Sequence, residues 1–198
     1  MRAYILAGGH GSRLSPDKGF LTVGGVSIAE RVYAAVAPLA EEVVLVGDSG
    51  PRRPLDLRVI VEEAIGSGPL AALCVALADA HPRAALIVPW DAPFITTPAL
   101  QYLQQRTGEA EAVVPRRGEW IEPLFAVYGP RCCAAARAAL DAGRRRVVSF
   151  YDQVTVRWVG EQELAPFGEW GRLFLNVNTP ADLIRAREMA GESHGGYP

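Results

Sequence analysis

The first eighteen residues constrain the fold of this chain more than any other stretch. An apolar run over residues 3–7 is followed by Gly8-Gly9 and ends on the charged pair Asp17-Lys18. A short β-compatible run of this kind is typical of a buried strand in a parallel sheet. Glycines directly after it let backbone N–H groups turn toward a ligand, because no Cβ atom stands in the way. The pattern therefore predicts a first strand that leads into an anion-binding loop.

Two cations in this loop favour a phosphate ligand. Arg13 offers a planar guanidinium suited to phosphate oxygens, and Lys18 offers a compact, mobile charge. Lys18 is the only lysine among the 20 basic residues, so the sequence uses arginine wherever a generic cation is enough. A dinucleotide loop would need glycine at Leu14, and a Walker A loop would need Gly-Lys-Ser/Thr where Asp17-Lys18-Gly19 stands. A glycine-rich turn with solvated charges is the remaining alternative.

Length and composition predict one compact domain over residues 1–198. The chain is 49% hydrophobic and has a net charge of -2. That apolar content is enough for a core, and the charge gives no basic field for nucleic acid. No apolar run approaches the ~18 residues that a membrane span needs, and the N-terminus lacks a secretion signal. We therefore expect a cytoplasmic protein that binds neither nucleic acid nor a membrane.

The cysteines and histidines do not form a metal-site pattern. Cys74, Cys132 and Cys133 lack the spacing of a zinc site, and we expect buried or reduced thiols. The three histidines are far apart, and His10 is interpreted as a tolerated loop residue. No catalytic role is assigned to these side chains.

Beyond the loop, apolar strands alternate with amphipathic helices. This alternation predicts an α/β fold whose mostly parallel sheet is covered by helices on both faces. Ligands of such sheets bind at the carboxyl ends of the strands, so Gly8, Val46, Glu62 and Asp91 are expected to meet there. The predicted strands are residues 3–6, 43–46, 58–61, 84–88, 112–114, 121–127 and 154–159. The predicted helices are residues 27–37, 69–80, 98–106, 131–140 and one that opens at Pro180.

Helix start signals refine these bounds. Ser27 and Thr97 are predicted N-caps, as is Asn178 or Thr179 for the last helix. Asp182 stands where a capping box places its acidic residue. The tail over residues 191–198 is expected to be frayed.

Polar residues near the predicted strand ends are the further site candidates. Gly68 opens a helix whose N-terminus can direct N–H groups at an anion or a base edge, unless the segment is only a turn. Asp91 follows a buried strand and either caps a turn or binds Mg²⁺, which favours one or two carboxylates with phosphate oxygens and water. Arg145 lies in an arginine run that is either a solvated face or a phosphate site. Asn176 and Asn178 are either capping or ligand-binding residues.

The loop resembles the nucleotidyltransferase signature L-A-G-G-x-x-x-R-[ML]-x-x-D-K, which residues 6–18 match throughout. The likeness continues in the same order through Gly68-Pro69-Leu70-Ala71, Asp91-Ala92-Pro93, Gly143-Arg144-Arg145-Arg146-Val147 and Asn176-Val177-Asn178-Thr179-Pro180. Over nearly its whole length the chain is similar to the molybdenum cofactor guanylyltransferases. Ala72 replaces a family glycine, Glu62 a family aspartate, and Trp90 a family cysteine.

The resemblance implies a three-layer, Rossmann-like nucleotidyltransferase fold and a Mg²⁺-dependent reaction. GMP from GTP would join the phosphate of molybdopterin carrying molybdenum, and pyrophosphate would leave. The N-terminal half would bind the nucleotide and the C-terminal half the acceptor. The implied catalytic residues are Arg13, Lys18 and Asp91, with Asp91 as the metal ligand. The implied nucleotide-binding residues are Leu6, Ala7, Gly8, Gly9, Lys18, Glu62, Gly68 and Asp91, and the implied acceptor-binding residues are Arg145, Asn176 and Asn178.

Other functions remain open from the sequence. A cytidylyltransferase for the same pterin, or a sugar-phosphate nucleotidyltransferase, would share the fold and the loop. Cytidylyl relatives tend to read L-A-A-G, so Gly8-Gly9 favours guanine. A nucleotide-binding accessory protein without turnover would not need Arg13, Lys18 and Asp91 together. Other cofactor-biosynthesis proteins and recipient molybdoenzymes are further partners that the resemblance implies.

Overall fold

The computed structural model describes residues 1–7, 18–47, 55–61 and 68–192. An eight-stranded sheet forms the centre of this part of the chain, and a separate two-stranded hairpin lies beside it. The strands are β1 Arg2–Ala7, β2 Thr22–Val23, β3 Val26–Ser27, β4 Val43–Gly47, β5 Arg58–Val61, β6 Ala85–Pro89, β7 Ala112–Arg117, β8 Trp120–Ile121, β9 Ala126–Tyr128 and β10 Val156–Gly160.

Helices connect most of these strands. The α-helices are α1 Ile28–Val36, α2 Pro69–Ala80, α3 Thr97–Gln104, α4 Cys132–Asp141, α5 Glu161–Leu164, α6 Trp170–Leu173 and α7 Pro180–Met189. Short 3-10 helices are formed by Lys18–Phe20, Ala37–Leu39, Val147–Gln153 and Ala165–Phe167. Among the described residues, no helix combines the length and the apolar character needed to cross a bilayer.

The sheet is mostly parallel, as predicted. Its order is β10-β7-β9-β6-β1-β4-β5, with β8 added to β7. Strand β9 runs antiparallel to both of its neighbours, and β8 runs antiparallel to β7. The remaining pairings are parallel. The carboxyl ends of the parallel strands therefore lie at one edge, where the amino end of β9 also lies.

Alternation along each strand divides the core between the two faces of the sheet. Ala3 and Ile5 of β1 pack with α1 and α3 on one face. Tyr4 and Leu6 pack with α2 and α4 on the other. We call these the α1 face and the α2 face. Side chains alternate because successive Cβ atoms of a strand point in opposite directions, and full burial of one large apolar side chain contributes about 1.5–3 kcal/mol.

Several sequence predictions are confirmed at residue level. Ser27 caps α1 in a capping box with Glu30. Thr179 caps α7, and Asp182 completes its capping box. Helix α2 has the predicted bounds. All three cysteines are free thiols, and Cys74 and Cys132 are buried.

Two predictions are wrong. Thr96 rather than Thr97 caps α3, since Thr96 accepts the N–H of Ala99, while the Thr97 hydroxyl donates to the Ala35 carbonyl at 2.9 Å. The strand predicted over residues 121–127 is two strands, because a turn separates β8 from β9. In this turn the Phe125 N–H donates to the Glu122 carbonyl at 3.1 Å, and Pro123, which has no N–H, cannot continue the ladder.

The predicted frayed tail begins within the described residues. Glu192 accepts a hydrogen bond from the Gly24 N–H and lies 3.6 Å from Arg187. Residues 193–198 lie outside the described residues.

Candidate functional site

The carboxyl ends of β1, β4 and β6 form the centre of the candidate site. Parallel pairing places Ala7 beside Gly47 and Leu6 beside Pro89. A Cβ atom on Gly47 would lie 2.3 Å from the Ala7 carbonyl oxygen, so only glycine allows this close approach. The sequence reasoning did not single out Gly47, because a glycine after a strand also reads as an ordinary turn signal.

Asp91 is tied to two distant parts of the chain by backbone hydrogen bonds. The preceding Trp90 N–H donates to the Leu6 carbonyl at 3.2 Å, and the Asp91 carbonyl accepts the Val177 N–H at 2.8 Å. These bonds bring the end of β1, the Asp91 turn and the segment around Asn176 together at one edge. Leu6, Asp91 and the segment that carries the two asparagines are therefore close together at this edge.

The two asparagines have different environments. The Asn178 N–H donates to the Asp182 carboxylate at 3.1 Å, which adds to the cap of α7. The side-chain oxygen of Asn176 is buried and has no hydrogen-bond partner among the described residues. An unsatisfied buried acceptor costs about 1–3 kcal/mol, so this oxygen is suited to accept a donor from a ligand or from water.

Gly68 and Arg145 meet on the α2 face. Gly68 precedes α2 with φ of 88°, a left-handed conformation that favours glycine. The Leu70 N–H in the first turn donates to the Arg145 carbonyl at 3.3 Å, and the Arg145 side chain is exposed. Arg145 thus lies next to Gly68, which the sequence resemblance assigns to the nucleotide site. Asn176 lies between Leu175 and Val177, which pack on the α1 face.

The 3-10 helix that begins at Lys18 packs on the Asp91 turn. A Cβ atom on Gly19 would lie 2.8 Å from two ring carbons of Trp90. Trp90 therefore packs directly on the Gly19 backbone and holds the end of the loop beside β6. Gly8, Gly9, Arg13, Glu62 and the Lys18 side chain lie outside the described residues.

Glu122 is a further carboxylate at this edge. Its N–H donates to the Pro115 carbonyl at 3.0 Å, which places it beside the carboxyl end of β7. Burial raises the pKa of Glu122 to about 7, and the nearby Arg117 partly opposes that shift. The sequence reasoning placed Glu122 inside a strand. The sequence signal that could have identified Glu122 as a site candidate is its position between Ile121 and Pro123, as a single carboxylate within an apolar segment.

Metal binding by protein ligands alone has little support in the described part of the chain. No group of three or more histidine, cysteine, aspartate or glutamate side chains converges there. Mg²⁺ does not need such a group, because one or two carboxylates with substrate phosphates and water complete its shell. Asp91, half-buried at the edge, fits that requirement.

Comparison with known proteins agrees with this architecture. A family model described as a MobA-like NTP transferase domain matches residues 3–155. A Pelotomaculum thermopropionicum protein named "Probable molybdenum cofactor guanylyltransferase" is 36% identical, covering 97% of this chain and 94% of that protein. A Syntrophotalea carbinolica protein named "Molybdenum cofactor guanylyltransferase" is 30% identical, covering 94% of this chain and 90% of that protein.

Solved structures share the fold. Molybdopterin-guanine dinucleotide biosynthesis protein A from Archaeoglobus fulgidus superimposes with a TM-score of 0.79 at 24% identity, covering 98% of this chain and 100% of that chain. The 2-C-methyl-D-erythritol 4-phosphate cytidylyltransferase from Thermus thermophilus superimposes with a TM-score of 0.68 at 18% identity, covering 95% of this chain and 98% of that chain. The predicted nucleotidyltransferase fold is therefore confirmed.

Proposed function

The chain belongs to the MobA-like NTP transferase family, and on that premise we propose that it transfers GMP from GTP to the phosphate of molybdopterin carrying molybdenum. The observation that carries the proposal is the 36% identity to a protein named as such a guanylyltransferase, over 97% of this chain. The position of Asp91 and the asparagines at one sheet edge supports it. The reaction is proposed for the cytoplasm, where GTP is available.

The chemistry requires positioning more than a strong base. An oxygen of the acceptor phosphate attacks the α-phosphorus of GTP, and the bond from that phosphorus to the bridging oxygen breaks. The electron pair leaves with pyrophosphate. A phosphate monoester has a second pKa near ~6 and is largely dianionic at neutral pH. Preorganised cations and N–H donors can therefore supply most of the stabilisation.

The proposed nucleotide site lies where β1 ends. Leu6 and Ala7 would form the strand end that leads into the loop, and the backbone N–H groups of Gly8 and Gly9 with the Lys18 ammonium would bind the phosphates of GTP. The Arg13 guanidinium would stabilise the charge that develops on pyrophosphate. The Trp90 contact with Gly19 supports this arrangement, since it holds the backbone next to Lys18 against the Asp91 turn.

Asp91 is the proposed Mg²⁺ ligand. Its position just beyond β6 lets it face phosphate groups held by the loop. When bound there, Mg²⁺ would neutralise phosphate charge and polarise the phosphate oxygens. Asp91 itself would hold a fixed negative charge at the crevice and orient the phosphates relative to the acceptor.

The base and the acceptor are proposed to lie on different sides of the crevice. Glu62 would accept the paired N–H donors of guanine, and the amides near Gly68 would face its carbonyl oxygen. Asn176, with its unpartnered buried oxygen, and Asn178 would bind the acceptor. Arg145 remains a proposed phosphate ligand, although its backbone borders Gly68. Other cofactor-biosynthesis proteins and recipient molybdoenzymes are the further proposed partners.

The test is pyrophosphate release from GTP, CTP, ATP and UTP with Mg²⁺, each with and without molybdenum-loaded molybdopterin. We expect release from GTP that requires both the acceptor and Mg²⁺, and tighter binding of GTP than of CTP or ATP in calorimetry. Glu62→Gln should weaken GTP more than CTP. Turnover with CTP in preference to GTP would replace the proposal by a cytidylyltransferase, and equal affinities would remove the role of Glu62.

A further inference from the structure

The segment that follows α4 returns to the start of α2 and places an arginine there. The Leu70 N–H donates to the Arg145 carbonyl at 3.3 Å. A Cβ atom on Gly68 would lie 3.5 Å from the Cβ atom of Arg145, so the Arg145 side chain leaves the backbone directly beside Gly68. Because that side chain is exposed, its guanidinium is accessible to a ligand bound at the helix start.

Backbone geometry directs Arg145 and Arg146 to different sides. Arg146 is extended, with φ of -83° and ψ of 136°, and the two neighbours of an extended residue point the same way. Val147 is buried among the residues of the α2 face. Arg145 therefore points toward α2, whereas Arg146 points away from it. The Arg144 side chain is engaged elsewhere, since it donates to the Ser149 carbonyl at 2.6 Å.

The first turn of α2 offers few backbone donors to a ligand. Pro69 has no N–H, and the Leu70 N–H is used by the Arg145 carbonyl. The Ala71 N–H donates to the Gly68 carbonyl at 3.1 Å. Only the N–H of Gly68 is left among these described residues, so a ligand with two neighbouring acceptor atoms needs a further donor. The Arg145 guanidinium can supply it, because it has no hydrogen bond or ion pair with any residue that the structure describes.

Arg145 and the acceptor-side asparagine lie on opposite faces of the sheet. Asn176 stands between Leu175 and Val177, which pack on the α1 face. Arg145 adjoins the start of α2, which packs on the α2 face. The sheet lies between these faces. Arg145 therefore borders the side of the crevice to which Gly68, and with it the nucleotide, is assigned.

We propose that Arg145 is a specificity residue for guanine: its guanidinium donates to O6 and N7 of the base. Arginine binds this pair of acceptors with two N–H groups, whereas adenine carries an amino donor in place of O6 and cytosine presents an amino donor. The inference rests on the proposed function, in which Glu62 accepts the N–H donors of the adjacent edge. It replaces the phosphate role of Arg145, since a guanidinium held at the base is not held at the acceptor.

The first experiment measures binding by calorimetry with Mg²⁺ and two probes, GTP and 7-deaza-GTP, in which a C–H group replaces N7. Wild type should bind GTP about tenfold or more tightly than 7-deaza-GTP, a difference worth ~1.4 kcal/mol. Arg145→Met keeps the length of the side chain but removes every donor, so it should bind the two probes within about threefold of each other. Arg146→Met is the matched control and should keep the wild-type preference. Thermal unfolding verifies that both variants are folded.

The second experiment measures steady-state GMP transfer by the same proteins. Arg145→Met should raise KM for GTP about tenfold, while KM for molybdenum-loaded molybdopterin and kcat stay within about threefold. An unchanged preference for GTP over 7-deaza-GTP would overturn the proposal. A raised acceptor KM with an unchanged KM for GTP would also overturn it and would return Arg145 to the acceptor phosphate. Absence of GMP transfer in wild type, with the Arg145-dependent preference retained, would overturn only the proposed function.

Discussion

Glu122 should make the folded protein less stable at alkaline pH. Burial raises its pKa from the usual 4.5 to about 7, against the opposing charge of Arg117. A raised carboxyl pKa means that the folded state binds the proton more tightly, so this carboxyl favours folding as pH falls from about 7 toward 4.5. Glu122→Gln removes the charge without changing the size of the side chain. We expect it to raise the free energy of unfolding at pH 8 by roughly 1 kcal/mol.

The measurement is thermal unfolding of wild type and Glu122→Gln at pH 5.5 and pH 8. The difference between the two proteins should be larger at pH 8 and should shrink to less than half of that at pH 5.5, which lies between the folded pKa of about 7 and the usual 4.5. A variant that is less stable than wild type at pH 8 would mean that the carboxylate has a stabilising partner in the folded protein.

Lys18 carries the residue-level prediction for catalysis. Lys18→Ala should remove a cation from the triphosphate site and cost about 2–4 kcal/mol of transition-state stabilisation, as expected for one preorganised electrostatic contact. GTP binding should weaken less than turnover. Lys18→Arg keeps the charge but replaces a compact ammonium by a wider planar group, so it should also lose substantial activity.

Single-turnover GMP transfer checks this prediction, with circular dichroism to verify that the variants are folded. If Lys18→Ala stays within about threefold of wild type, less than 1 kcal/mol, Lys18 is not a catalytic residue. The assignment of the whole loop would then have to be withdrawn.

At the scale of elements, the contact between Trp90 and the 3-10 helix Lys18–Phe20 can be tested separately. A Cβ atom on Gly19 would come within 2.8 Å of the Trp90 ring, so Gly19→Ala must displace the helix, the ring or both. We expect kcat to fall about tenfold or more, because misplacing a positioning element costs rate. The loss of stability should stay near 1–3 kcal/mol.

Gly171→Ala is the matched control for this substitution. A Cβ atom there would meet its nearest neighbour, the Glu169 carboxylate, at 3.9 Å, an ordinary contact. Steady-state kinetics and thermal unfolding of both variants would decide the point. Equal kcat values for the two variants would mean that the Trp90 contact does not position the loop end.

Elements were predictable from the sequence where local signals agreed with tertiary contacts. Helix α2 has the predicted bounds because Gly68 and Pro69 mark its start and an apolar run fills it. The prediction of one strand over residues 121–127 was wrong. The apolar composition of this segment favoured a continuous strand, whereas Pro123 lacks the N–H that a continuous ladder needs. The shift of the α3 cap from Thr97 to Thr96 has a tertiary cause, since Thr97 bonds to Ala35 of another helix.

At the scale of the whole molecule, the sequence motifs named candidate site residues, whereas the layout of the edge that they occupy depends on contacts between distant segments. Motif residues such as Asp91 and Asn176 were identified by resemblance, and the fold brings their segments together through the Val177 bond. The closeness of Arg145 to Gly68 depends on how a loop after α4 returns to the start of α2. The unpartnered carboxylate of Glu122 likewise depends on the pairing of β7 with β8. Neither the contact between Arg145 and the start of α2 nor the pairing of β7 with β8 has a local sequence signal.

The opposite edge of the sheet should affect stability without affecting the reaction. Asp79, near the end of α2, accepts hydrogen bonds from Arg58 at 2.7 Å and from the hydroxyl of the buried Tyr4 at 2.7 Å. Arg2 also donates to this carboxylate. The hydrogen bond from Arg58, and to a smaller extent the one from Tyr4, holds the pKa of Asp79 below its usual value. Because the folded pKa is lowered, this stabilisation is present above about pH 4 and is lost as pH falls further.

Asp79→Asn should therefore destabilise the protein by about 1–3 kcal/mol at pH 7, since Arg58 and Tyr4 lose a charged acceptor. Glu119→Gln is the control, because the pair of Glu119 with Arg116 is largely exposed, with 98% and 39% of the two side chains accessible. It should change stability by less than about 1 kcal/mol.

Urea unfolding and GMP transfer should be measured on both variants. Arg2 and Arg58 begin β1 and β5, whereas Asp91 lies beyond the carboxyl end of β6, so kcat and both KM values should match wild type below the unfolding transition. A change in kcat for folded Asp79→Asn would show that the two edges of the sheet are coupled.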